Sequence, residues 1–266
     1  MKTINFTKTK KLLNFLVFCI FLSTISTKSF GSQSRNLKVF AEPNMALALS
    51  KIARIFSQKN NVIVSINFSS SFDLINEIDL GAPANVFVSA HPQIIENLRH
   101  KGLVDVYNIA FIANDELVLS TSKLNNRFPL KLLTKNISLD DALRILDENK
   151  LSLIVDHEGV SSGIYSKKII QNLSLGNLRI YNKLPEDKSS LIRDIENNKD
   201  TYGLLFRSQL QKNSNLRILA TQKDKNIFYQ AFVIAGDNMD VAREFLNFLK
   251  NPNSKNILRN SGFIVE

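Results

Sequence analysis

The sequence predicts an α/β protein with a mostly parallel sheet flanked by helices, repeated as a second unit of the same kind. Three observations lead there. Short apolar or alternating runs follow one another with amphipathic stretches between them, turn residues separate the two, and the alternation restarts near Asp115. With about 235 residues beyond a leader-like start, the chain is long enough for one large domain or two small ones.

The N-terminal stretch reads as a targeting segment. Lys2, Lys8, Lys10 and Lys11 precede an apolar run from Leu12 to about Ile25, and small residues flank Phe30. The run is shorter than the roughly 20 residues that cross a bilayer, so cleavage after Gly31 is expected, with a mature start at Ser32. Cys19 lies mid-run behind Val17 and Phe18, which argues against a lipid anchor there. Removing residues 1–31, which hold five lysines and no acid, lowers the formal net charge from +10 to +5. Since Cys19 is the single cysteine, the exported chain is expected to have neither a disulfide nor a thiol nucleophile.

From Leu37 the elements can be justified in order. Val39 to Ala41 forms a short buried strand, Asn44 an N-cap, and Met45, Leu49, Ile52 and Phe56 the apolar stripe of the following helix. Val62, Val64, Ile66 and Phe68 alternate as a strand. A Ser69-Ser70-Ser71 turn leads into a short helix carrying Leu74 and Ile78, stopped by Gly81 and Pro83. Val86 to Val88 is the third strand, and Ile94, Ile95 and Leu98 mark a helix ending near Gly102.

The second unit has strands at Leu117–Leu119, Leu153–Val155, Leu178–Ile180 and Gly203–Phe206, with helices starting near Gly163 and Asp187. The stretch between Ser122 and Asn136 is polar and poorly periodic. After Lys225 alternation resumes in Ile227 to Ile234, followed by a helix carrying Phe245, Leu246 and Leu249 with Asp240 as its N-cap.

In open α/β sheets ligands sit beyond the carboxyl ends of strands, where helices begin. Asn44, the turn Ser69–Ser71 and the run Ser161-Ser162-Gly163 all occupy such places, and unpaired N–H groups at helix starts suit an anion. One such site alone is an ordinary cap; three converging ones form a cradle. Lysines and arginines are scattered among Asn and Asp rather than gathered in a stripe, so nucleic acid is not an expected partner.

Several segments together make the sequence resemble the periplasmic molybdate-binding proteins over nearly the whole mature chain. They are Val39-Phe40-Ala41, Phe68-Ser69-Ser70-Ser71, Gly81 to Ala90, Ser162-Gly163-Ile164-Tyr165, Ala242 to Leu246, and Ser261-Gly262-Phe263. The resemblance implies a two-lobed periplasmic-binding-protein fold of type II, with lobe I from residues 32–113 and 228–266 and lobe II from 114–227. It also implies a monomer without a cofactor that holds molybdate or tungstate and delivers it to the membrane permease of an ABC importer. The family's five contact positions fall on Asn44, Ser71, Ser162, Lys188 and Phe206, of which Ser71 alone keeps the family's residue. Backbone N–H groups at Asn44, Ser162 and Lys188 could still serve, whereas Phe206 cannot replace a phenolic donor, and Phe72 stands where the family has a small residue.

Other readings remain open at this point. Sulfate, phosphate, phosphonate or a small organic anion would suit the same fold. A secreted hydrolase finds little support: His91, His100 and His157 form no zincin motif, and no P-loop occurs. A ligand-sensing regulator would carry a DNA-binding module where the leader-like segment stands.

Overall fold

The computed structural model describes residues 35–126, 129–133, 137–183, 191–210, 215–222 and 227–266. The leader-like segment with Cys19, the helix start near Asp187, and Lys188 and Lys225 all lie outside the described residues.

Ten strands form two five-stranded sheets among the described residues. The first sheet contains β1 (Arg35–Ala41), β2 (Val62–Phe68), β3 (Val86–Ser89), β4 (Val104–Asp115) and β10 (Ile227–Ile234), in the order β2-β1-β3-β10-β4. The second contains β5 (Leu117–Ser122), β6 (Ser152–Val155), β7 (Arg179–Asn182), β8 (Thr201–Phe206) and β9 (Leu216–Thr221), in the order β7-β6-β8-β5-β9. In each sheet four strands run the same way and the fourth in order runs against them. That reversed strand is the one arriving from the other sheet, β10 in the first and β5 in the second. The fold is therefore the two-lobed α/β arrangement with mostly parallel sheets.

Helices cover both faces of each sheet. Helix α1 (Ala46–Asn60) buries Leu49, Ile52 and Phe56 against the first sheet, below the 3-10 turn Pro43–Met45 whose Met45 is fully buried. On the opposite face, Leu74, Ile75 and Ile78 of α2 (Ser71–Asp79) join Ile94 and Leu98 of α3 (Pro92–His100) in a separate cluster with Phe87 and Phe232. The second sheet carries α4 (Leu139–Glu148), α5 (Ser161–Leu173) and α6 (Leu191–Asn197). The chain ends in α7 (Met239–Leu249) and α8 (Pro252–Asn260), and α7 packs on α1 through an edge contact of 5.1 Å between the rings of Phe245 and Phe56. A buried apolar cluster runs from one sheet to the other through Phe206, Tyr229 and Phe263.

Some local expectations are corrected. Asn44 is not an N-cap: Pro43, with its fixed φ, starts the helical turn two residues earlier than expected and leaves Glu42 in the cap position. Asp240 does not cap α7 either, because Asn238 occupies the cap in the left-handed region at φ 59° and Asp240 falls in the first turn. The helix expected near Gly163 begins at Ser161, and the strand expected at Leu178 begins at Arg179.

Four elements had no counterpart in the sequence reading. Helix α4 carried a legible signal, with the hydroxyl of Ser138 accepting from the Asp141 amide and Leu139, Ala142, Leu143 and Leu146 in a buried stripe. Strand β4 did not, since Asp105 and Asn108 break its alternation and its pairing with β10 is irregular. The other two are β9 and α8.

The chain passes from the first sheet to the second at Asp115-Glu116. Asp115 is fully buried; one carboxylate oxygen accepts from the Ser208 amide at 3.2 Å and the other has no partner. Burial pushes its pKa up to about 7. A carboxyl raised in the folded state contributes stability that is fully present below the unfolded value, near 4, and lost as pH rises through about 7. Asp115→Asn, which keeps the acceptor for Ser208, should therefore raise the melting temperature more at pH 8 than at pH 5. The difference should be on the order of a few kcal/mol, and equal shifts at both pH values would contradict it.

Candidate functional site

The carboxyl ends of β1, β2 and β3 and the loop after β6 meet between the two sheets. Each delivers a small or polar residue there because each strand gives way to a helical turn. After β1 comes Glu42, 2% exposed. After β2, the hydroxyl of Ser70 accepts from the Asp73 amide and caps α2, which leaves Ser71 as the first helical residue, fully buried. Ser89 ends β3, also fully buried, and its hydroxyl oxygen accepts from the His91 amide at 2.9 Å. From the second sheet comes Ser161 at the start of α5.

These groups converge on the carboxylate of Glu42. One of its oxygens accepts from the hydroxyls of Ser71 at 2.5 Å, Ser89 at 2.8 Å and Ser161 at 2.5 Å. The other accepts from the Ser161 amide at 3.4 Å. Ser71 and Ser89 are also within 3.0 Å of each other. Among the described residues no ion pair involves Glu42. Fixed hydroxyl and amide donors hold this buried carboxylate, which is the chemistry of a cradle for an anion.

An aromatic and polar wall stands beside it. Phe206 is buried, with its ring 6.0 Å from that of Tyr165 and 6.4 Å from that of Tyr229. The side-chain amide of Asn44 donates to the Tyr229 hydroxyl and, at 3.2 Å, to the Ser208 hydroxyl. Burial, then the Glu42 charge, holds the Tyr229 phenol well above its ordinary range and raises that of Tyr165 as well. Both phenols therefore stay protonated at neutral pH. Burial lowers the pKa of His91, whose Nε2 lies 3.2 Å from the Glu158 carbonyl while Nδ1 has no partner.

The cleft is closed over these residues. The Phe72 amide donates to the Gly159 carbonyl at 3.4 Å, and the Tyr165 hydroxyl to the Ala90 carbonyl at 3.5 Å. A space of about 530 Å3 is bordered by Pro43, Asn44, Ser208, Gln209 and Arg259, and one of about 360 Å3 by Phe72, His157, Glu158 and Gly159; neither is lined by Glu42, Ser71, Ser89 or Ser161.

The structure brings together Asn44, Ser71, Ser162 and Phe206 of the residues singled out from sequence; Lys188 lies outside the described residues. Ser162 contributes differently from its neighbour, since its hydroxyl donates to Asp156 at 2.5 Å and it is Ser161 that reaches Glu42. Sequence reasoning missed Glu42, Ser89, Tyr165 and Tyr229 as site residues, and placed Ser161 in a candidate run without giving it a contact. Ser161 and Ser89 had a signal in the strings that contain them, whereas Glu42 and Tyr229 become neighbours only when the chain returns through β10.

A model of the bacterial extracellular solute-binding proteins matches residues 37–264. The chain belongs to this family. Among similar proteins, the molybdate-binding protein ModA of Escherichia coli K12 is 25% identical over 237 residues, covering 86% of this chain and 89% of its own length. The periplasmic molybdate-binding protein of Azotobacter vinelandii superposes with a TM-score of 0.63 at 19% identity, over 86% of this chain and 99% of that one. A tungstate ABC transporter structure from Geobacter sulfurreducens gives 0.67 at 14% identity, over 85% and 98%. These two structures share the fold with this solute-binding protein.

The first turn of α5 tolerates no side chain at Gly163, where an added Cβ would lie 2.0 Å from the His157 carbonyl oxygen and 2.7 Å from that of Asp156. Both neighbours are backbone and cannot yield without moving the loop that presents Ser161. Gly163→Ala in this solute-binding protein should cost on the order of 1–3 kcal/mol, read as a lower denaturation midpoint. An unchanged midpoint would mean that the loop is not held as described.

Proposed function

We propose that this protein captures a tetrahedral oxyanion, molybdate or tungstate, outside the cytoplasm and delivers it to the membrane permease of an ABC importer. The observation that carries the reading is the convergence of three serine hydroxyls and one amide from both sheets on a single anionic group, with no ion pair to it among the described residues. Such a site suits an oxyanion because fixed dipoles compensate its lost hydration without a mobile countercharge. The molybdate- and tungstate-related names of similar proteins point to the same ligand class.

In this reading residues 32–113 and 228–266 form lobe I, and 114–227 form lobe II. The leader-like segment is cleaved after Gly31, and the mature protein acts in the periplasm as a monomer, without a cofactor and without nucleic acid. Ser71 and the backbone at Asn44, Ser162 and Lys188 contact the anion, while Phe206 supplies an apolar wall.

Calorimetry with molybdate and tungstate tests this. Ser71→Ala should weaken binding by about one to two decades, since a hydrogen bond to a charged group is worth about 1.5–3 kcal/mol. Phe206→Tyr should tighten it by restoring a phenolic donor. A salt-sensitive loss in Lys188→Ala would mean that its ammonium faces the anion, and no change that it is solvated. If neither the native protein nor Phe206→Tyr binds molybdate or tungstate, the assignment fails.

A further inference from the structure

We propose that Glu42 is an internal anion that occupies the oxyanion cradle in the ligand's place, and that it thereby sets which solutes the site accepts. The inference rests on the oxyanion reading above. Its starting point is a conflict of charge: the residue at the centre of a cluster of hydrogen-bond donors is itself an acid. Glu42 is 2% exposed, and its carboxylate takes the hydroxyl of Ser71, the one serine at which this chain keeps the related proteins' expected contact residue.

A serine hydroxyl has one hydrogen to donate. With those of Ser71, Ser89 and Ser161 directed at one oxygen of Glu42, the Ser71 hydroxyl that an incoming oxyanion needs is already engaged, together with its two neighbours in the cradle. A dianion cannot share the cradle with the carboxylate either, because like charges in contact repel strongly where water is scarce. Binding therefore requires that Glu42 leave, and the affinity measured is that of the ligand minus that of the internal competitor.

The same carboxylate also joins the two lobes. Ser71 and Ser89 approach it from the first sheet, while the hydroxyl and amide of Ser161 approach from the second. In an open cleft these four donors and the carboxylate would face water. In the closed one they satisfy each other, so Glu42 holds the lobes together before any solute arrives. A solute too weak to displace it is excluded, which makes Glu42 a threshold for binding.

Two variants and two readouts test this on the mature protein. In Glu42→Ala, and to a lesser degree in Glu42→Gln, the ligand-free protein should show a larger radius of gyration by small-angle X-ray scattering than the native protein. By calorimetry, Glu42→Ala should bind molybdate or tungstate at least about tenfold more tightly. Equal compactness of the native and variant proteins without ligand would overturn the inference, as would, where the native protein binds molybdate, unchanged or weaker binding in both variants. Binding of hydrogen phosphate by the native protein that is lost in Glu42→Gln would also overturn it, because Glu42 would then be the acceptor for a protonated ligand. If Glu42→Ala opens but neither it nor the native protein binds molybdate or tungstate, the ligand assignment of the previous section falls and the internal anion stands.

Discussion

Closing two lobes over a cleft removes water from every polar group that lines it, and those groups must then find one another or a ligand. In this protein the requirement is met at Glu42, whose carboxylate gathers donors from both sheets. A buried charge without a cation is costly unless hydrogen bonds surround it. The arrangement of serines at three separate strand-to-helix junctions is what makes that environment available. Each junction on its own is an ordinary turn; the shared target makes them a site.

The topology explains why these junctions meet. Each sheet presents the carboxyl ends of its co-directional strands to the cleft, and each receives one reversed strand from the other lobe. The reversed strand β10 carries Tyr229 into the same space, where it touches Asn44 from the first connection and Phe206 from the end of β8. The crossing between β4 and β5 also places a buried carboxyl, Asp115, directly at the passage between lobes, bonded to the amide of Ser208. The passage between the lobes and the site are thus built from adjoining residues.

The aromatic wall shows how the site departs from what the sequence resembles. A phenylalanine at position 206 removes one hydroxyl, yet Tyr165 and Tyr229 stand on either side of its ring. Both phenols remain protonated because burial and the Glu42 charge oppose their ionisation. The polar surface that Phe206 lacks is present nearby, on residues from other elements.

Sequence alone determined the elements whose signals are local. The stripe Met45, Leu49, Ile52 and Phe56, the alternation from Val62 to Phe68, and the serine turn before α2 follow from side-chain periodicity and capping, which depend on residues a few positions apart. The Ser69–Ser71 turn was legible for the same reason, Ser71 itself through the resemblance, and the two-lobed fold through repeated strand-helix alternation and the strings that carry the resemblance. The irregular strand β4 was not, since its pairing with β10 and not its own pattern fixes it. Nor could the sequence reveal the role of Glu42. Its carboxylate meets Ser71, Ser89 and Ser161 at separations of 29, 47 and 119 residues, contacts that exist only once both sheets are formed and closed on each other. Tertiary structure decided that an acid next to a helix start faces the cradle rather than the solvent.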